Sequence, residues 1–163
     1  MDRRTLLKST VFGAVALAGA GLVATITGRD PAADREQVLR ALAPAILAGA
    51  LAPDGPSRVA DLDRALGGVR QAVAALPPAV RTDLDQLFGL LAAPPTRLAL
   101  AGLTAGWDAV TPQQAADFLA RWRDHRVTLF RAGYQALRDL VLAAWYADEA
   151  SWAAVGYPGP PDL

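Results

Sequence analysis

The stretch SRVADLDRALGGVRQAVAAL, residues 57–76, decides the fold class. Its apolar residues Val59, Leu62, Leu66, Val69, Val73 and Leu76 alternate steps of three and four, which places six side chains in one seam of an α-helix. A half-buried strand would repeat every second residue instead. Gly67-Gly68 interrupts the seam and marks either a bend or a close helix contact. Pro77-Pro78 stops this helix and seats the next, whose apolar face is Val80, Leu84, Leu87, Phe88 and Leu91.

Helical spacing extends in both directions from there. Upstream, Asp34 to about Ala52 reads as a helix with Val38, Leu39, Leu42, Ile46 and Leu47 on one face and Asp34 and Glu36 near its positive end. Pro44 should kink this helix or split it in two, and Pro53-Asp54-Gly55-Pro56 is a turn. Downstream, Pro94-Pro95 precedes a short apolar helix around Leu98 to Leu103, and a loop over Gly102 to Asp108 carries Trp107. Thr111-Pro112-Gln113-Gln114 is a helix start, with a capping Thr, a Pro at the first helical position and a Gln three residues after the cap. From there Phe118, Trp122, Phe130, Tyr134, Leu137, Val141 and Trp145 recur at helical spacing as far as Tyr146, with a bend expected near Asp124-His125. No segment alternates like a strand. The expectation is an all-α bundle of about five to six helices over residues 29–163, with a tail from 147 to 163 rich in Pro, Gly and aromatics.

Composition narrows the chemistry. The 163 residues contain no Cys, one His and one Met, so disulfides, thiol catalysis and Cys-ligated metal centres are excluded and few metal ligands remain. Charges balance at 16 basic and 16 acidic groups, and no global field favours nucleic acid. Lys8 is the one lysine; every other cation is Arg. No Gly-x-Gly-x-x-Gly or Walker loop follows a strand, so the sequence encodes no nucleotide or flavin fold.

The first 28 residues differ from the rest. A basic start with Arg3, Arg4 and Lys8 leads into an uncharged run from Ser9 to Gly28, the order of a secretory leader. Arg3-Arg4-Thr5-Leu6-Leu7-Lys8 resembles the twin-arginine export motif, with Leu6 where Phe is commonest. Small-residue patterns at Ala14-Val15-Ala16, Ala16-Leu17-Ala18 and Ala18-Gly19-Ala20 offer cleavage points. The 17 residues from Val11 to Thr27 also reach the lower limit of about 17–25 for a membrane span, which leaves an uncleaved anchor open. Residues 29–163 hold 13 basic and 15 acidic groups, a net charge near −2.

With this leader, the helical segments Trp122-Arg123 and Phe130-Arg131-Ala132-Gly133-Tyr134-Gln135-Ala136-Leu137, and the ending Trp145-Tyr146, Asp148, Trp152, Gly156-Tyr157-Pro158-Gly159-Pro160, the chain resembles the gluconate 2-dehydrogenase subunit 3 family. These are the small, twin-arginine-bearing subunits of membrane-associated flavin dehydrogenases for sugars and alcohols. The ending is the most specific part, although the Gly-Gly-Asn insertion usual before the Trp is absent: only Ala147 to Ser151 separate Tyr146 from Trp152. The resemblance implies a non-catalytic subunit that binds no cofactor of its own. It implies a large partner of the glucose–methanol–choline oxidoreductase class that carries FAD, often with a cytochrome c subunit. Export through the twin-arginine translocon would bring the complex to the periplasmic side of the inner membrane. Trp145, Tyr146, Trp152, Tyr157 and Pro158 are the candidate partner-facing residues, and Arg3, Arg4, Leu6, Leu7 and Lys8 the export signal. The alternative is a stand-alone exported helical binding protein without an oxidoreductase partner.

Other residues give weaker signals. His125 has no Gly-x-Ser-x-Gly elbow to serve and reads as a surface or interface residue. Asp61 and Asp63, like Asp83 and Asp85, are two apart on helices and so diverge in direction. Arg121, Arg123, Arg126, Arg131 and Arg138, interleaved with Asp117, Asp124 and Asp139, read as a solvated or partner-facing stripe.

Overall fold

A computed structural model describes residues 28–152 and residue 156. Those residues form six α-helices: α1 (Pro31–Ile46), α2 (Pro56–Ala74), α3 (Pro78–Ala92), α4 (Pro94–Ala101), α5 (Pro112–Arg123) and α6 (Thr128–Tyr146). Single 3₁₀ turns at Trp107–Ala109 and Glu149–Ser151 complete the elements. The chain is all-α over the described residues, and no strand occurs among them. Five of the six helices open on a proline. Its fixed φ suits the first helical turn, and its missing N–H would have had no helical partner there.

Helix α1 is the centre. It packs against α2, α3, α5, α6 and the Trp107 turn, and Val38, Leu39, Leu42 and Ala43 are fully buried. Asp30 caps its start through the Ala32 N–H at 2.9 Å. Its end falls earlier than the sequence suggests: the helix runs through Pro44 for two more residues and stops at Ile46 rather than near Ala52. Proline removes one ladder bond and crowds the preceding turn, and Gly49 then takes a positive φ of 86°. Leu47 and Leu51 still reach the core from the turn that follows.

The seam of α2 is buried at its middle, at Leu66, Val69 and Val73, whereas Val59 in the first turn is 57% exposed. Helices α2 and α6 run antiparallel. Gly68 meets Ala144, and Arg64, one turn earlier, meets Asp148, one turn later. Of the two readings of Gly67-Gly68, the close contact holds: a Cβ on Gly68 would lie 3.1 Å from the Ala144 carbonyl oxygen and 3.2 Å from its Cβ.

The long helical pattern from Thr111 to Tyr146 breaks instead of bending. Helix α5 starts with the anticipated capping box, in which Thr111 Oγ1 accepts from the Gln114 N–H and Gln114 Oε1 from the Thr111 N–H. It ends at Arg123, and α6 folds back across it after a four-residue turn. Arg131 holds that turn by donating to the carbonyls of His125 at 2.8 Å and Arg126 at 3.1 Å. Rings then meet through the fold, edge to face or tilted: Trp107 with Phe118 at 5.6 Å, Phe118 with Trp122 at 4.8 Å, Trp122 with Phe130 at 5.4 Å. Gly133 makes the fold-back geometrically feasible, since a Cβ there would lie 2.6 Å from the Trp122 ring.

Helix ends are sealed by side chains. At the end of α3 the carbonyl of Leu90 accepts from Thr96 Oγ1, that of Leu91 from Trp107 Nε1 at 2.8 Å, and that of Ala92 from Arg97 Nη1 at 3.2 Å. At the end of α4, Trp122 Nε1 donates to Leu100 at 3.0 Å and Arg121 Nη2 to Ala101 at 2.6 Å. These carbonyls have no partner within their own helices, and leaving them buried and unpaired would cost about 1–3 kcal/mol each.

The two adjacent glycines of α2 separate packing from propensity. Among the described residues, Gly67 has only the flexible Arg70 side chain nearby, at 3.6 Å. Gly67→Ala should therefore raise stability by about 0.5–1 kcal/mol. Gly68→Ala should lower it by about 1–3 kcal/mol through forced separation of α2 and α6. Urea denaturation of both variants checks the difference in sign.

Candidate functional site

The corner between α6 and the tail is built from short-range hydrogen bonds. After Tyr146 the chain turns at Asp148, whose carboxylate accepts the Ala150 N–H at 3.0 Å and faces Arg64 of α2 at 3.4 Å. Ser151 is buried, with its Oγ 2.7 Å from both the Trp145 and Asp148 carbonyls. Trp152 is half-buried and donates its indole N–H to the Tyr146 carbonyl at 3.0 Å. The beginning of the tail is thus seated on the end of α6.

The proposed partner-facing residues separate accordingly. Trp145 is a core residue, 2% exposed, and its ring is not available to a partner in this fold. It lies on the inner face of α6 with Leu137, Val141 and Ala144. Its indole N–H has no hydrogen-bond partner in the described structure. Tyr146, the next residue, points outward and is 51% exposed. Trp152 lies beside it. Tyr157 and Pro158 lie outside the described residues, as do Arg3, Arg4, Leu6, Leu7 and Lys8 of the export motif.

The α5–α6 hairpin presents the arginine stripe, and its members have unlike tasks. Arg121 and Arg131 spend their guanidinium groups on carbonyls of neighbouring turns. Arg123 makes a two-point contact with Asp124 at 2.9 and 2.8 Å, in the open. The hydrogen bond to Asp124 is the main cause that holds the Arg123 guanidinium above its ordinary pKa, and the Asp124 charge adds to it, with a smaller contribution from Tyr134. The same bond lowers the pKa of the Asp124 carboxyl. His125 packs on Phe130 at 4.2 Å and accepts the Val127 N–H through Nδ1 at 3.1 Å, which makes it part of the turn into α6.

The acidic pairs diverge as their spacing requires. Asp61 accepts from the Ala52 N–H at 3.0 Å and from Arg64, while Asp63 faces Arg40 of α1 at 3.0 Å. Asp85 pairs with Arg35 of α1 at 2.6 Å. No group of three His, Cys, Asp or Glu side chains able to hold a metal occurs among the described residues. None of the described helices is long and apolar enough to cross a membrane.

Three features escaped sequence reasoning. Asp34 is 4% exposed and clasped by Arg29 through contacts of 2.8 and 2.5 Å. Its only sequence signal was an Arg five residues before it. A cleft of about 580 Å³ runs along α1 past Gln37, Arg40 and Pro44 to Asp108 and Val110. A smaller one, about 230 Å³, opens where α1, α5 and α6 meet. Both clefts join residues distant in sequence, and no local pattern announces them.

Comparison of the chain with protein-family models, with curated proteins and with solved structures gives no match.

The Arg123–Asp124 contact sets a pH dependence with a definite sign. A depressed carboxyl pKa means that the pair contributes above the ordinary carboxylate range and is lost as pH falls through the lowered folded value. In a carboxyl-carbon NMR titration Asp124 should titrate below the ordinary aspartate range of about 3.9. Arg123→Gln should return it to that range.

Proposed function

We propose that this protein is the non-catalytic small subunit and export escort of a periplasmic FAD-dependent dehydrogenase. The observation that carries the reading is the pairing, in one short chain, of the Arg3-Arg4-Thr5-Leu6-Leu7-Lys8 leader with the ending Trp152, Gly156-Tyr157-Pro158-Gly159-Pro160. The twin-arginine route carries proteins already folded in the cytoplasm. A large flavoprotein that must bind FAD before export, and that lacks a leader, can cross by holding on to a partner that has one. A small helical domain with a leader at one end and an aromatic, proline-stiffened tail at the other suits that task. The tail offers rings that each remove about 150–250 Å² from water when buried on a partner.

In this reading the domain's own residues work by binding. Tyr146, the last residue of α6, has its ring exposed, and Trp152 donates its indole N–H to the Tyr146 carbonyl. Together with Tyr157 and Pro158 they are the residues assigned to the large subunit. Trp145, buried in the core, is not among them.

A second reading, a stand-alone exported helical binding protein, draws on the seat of Trp152 against its own helix. It also draws on the scatter of the exposed large hydrophobics Val59, Val80, Leu98, Val127 and Tyr146 over separate parts of the fold. Apolar residues exposed singly are ordinary on a monomer surface.

The leader separates the two readings when export of two proteins is followed at once. Arg3→Lys with Arg4→Lys should keep this chain in the cytoplasm and abolish flavin-dependent sugar or alcohol dehydrogenase activity in the periplasm. If the chain is retained while every such activity is still exported, the escort assignment fails and the second reading stands.

A further inference from the structure

The cleft where α1, α5 and α6 meet is a small site of definite chemistry. Its apolar walls come from Ile46 at the end of α1 and Leu119 of α5, and its polar groups are Arg123, Tyr134 and Arg138. At about 230 Å³ it is smaller than the roughly 300–1,000 Å³ of a drug-sized pocket. It therefore suits a ligand of a few carbon atoms.

The cations lining it are only partly satisfied. Asp124 takes Nε and Nη2 of Arg123, and Nη1 has no hydrogen-bond acceptor among the described residues. Asp139 approaches Nη1 of Arg138 at 3.5 Å, and Nε and Nη2 have no acceptor among the described residues. The Tyr134 hydroxyl has no hydrogen-bond partner among the described residues, although the ring is half-buried. Both ion pairs join sequence neighbours and are well exposed, with the arginines 56% and 46% accessible. Pairs of that kind hold weakly against water or a competing anion. The other guanidinium groups of this hairpin that seal carbonyls, Arg121 and Arg131, are engaged elsewhere.

From this juxtaposition we propose that the cleft binds a small carboxylate with an apolar body. The carboxylate would sit between the free N–H groups of Arg123 and Arg138 and take the Tyr134 hydroxyl proton as a third hydrogen bond. The apolar body would lie on Ile46 and Leu119. Guanidinium forks match the two oxygens of a carboxylate, which gives such contacts direction as well as charge. The apolar walls disfavour a fully hydrated inorganic anion, and the two guanidinium groups disfavour a cation. The proposal is independent of any oxidoreductase partner, because it rests only on side chains of this domain.

The chain carries its own reporter. It has two isoleucines, Ile46 in the cleft and Ile26 in the leader. With the δ1 methyls of the full chain labelled, hexanoate should shift Ile46 saturably and leave Ile26 in place. Hexanol, with the same body and no charge, should bind at least about tenfold more weakly, the order expected for a lost charge-assisted hydrogen bond. Arg138→Gln should weaken hexanoate by about tenfold, and Arg138→Lys, which keeps the charge but not the fork, by less. The proposal is overturned if Ile46 does not move, if hexanol moves it with the same midpoint, or if the folded Arg123→Gln, Arg138→Gln double variant binds hexanoate unchanged. Should that variant fail to fold, the hexanoate and hexanol comparison on the unmodified chain decides alone.

Discussion

At four of the five junctions between the described helices, all but α4–α5, a guanidinium from the first turn of the later helix reaches backwards. Arg81 lies three residues after the proline that opens α3 and donates to the Ala74 and Leu76 carbonyls at 2.7 and 3.1 Å. Arg97 stands at the same place in α4 and reaches the Ala92 carbonyl, and Arg131 at the same place in α6 reaches the carbonyls before it. Arg58, one position earlier in α2, binds the Ala52 and Pro53 carbonyls at 3.1 and 3.3 Å. A cation in a first helical turn opposes the helix dipole. Bonds to carbonyls that would otherwise lack partners outweigh that cost, since charge-assisted hydrogen bonds are worth about 1.5–3 kcal/mol. Arginine suits the task better than lysine because it stays charged, is less strongly hydrated and offers several fixed donors. The absence of lysine after Lys8 fits this use. Arg97, 8% exposed and with no partner for its Nε among the described residues, shows how far burial of such a group can go.

These short, pinned turns let α1 sit in the middle. Helices α2, α3 and α6 reach α1 from turns pinned in this way, and α1 buries Val38, Leu39, Leu42 and Ala43 against several helices at once. Charged contacts then hold the outer faces: Arg29 with Asp34, Arg35 with Asp85, Arg40 with Glu36 and Asp63.

What could be read beforehand followed from local rules. Helical period, prolines at helix starts and the Thr111 capping box are properties of neighbours in sequence, and the structure has all three. The break over Asp124–Val127 was hidden because apolar spacing continues through it: Phe118, Trp122 and Phe130 keep a helical rhythm although they belong to two helices that face each other. The clue was Gly133, whose missing side chain admits the Trp122 ring. Trp145 and Tyr146 show the same limit at the candidate site. Both are large aromatics near the chain's end, and only the register of α6 against α2 turns one inward and the other outward. The clefts depended on tertiary neighbours and left no mark in the sequence.

The central functional claim is association with a flavoprotein, and capture of the intact complex tests it most directly. The protein would be purified from its native cell under mild conditions by an affinity tag placed where neither leader nor tail is altered. Flavin absorbance would then be read in the eluate and the co-purifying chains identified. The account predicts a yellow eluate containing a larger, leaderless flavoprotein in fixed ratio to this chain. A colourless eluate holding this chain alone would contradict it.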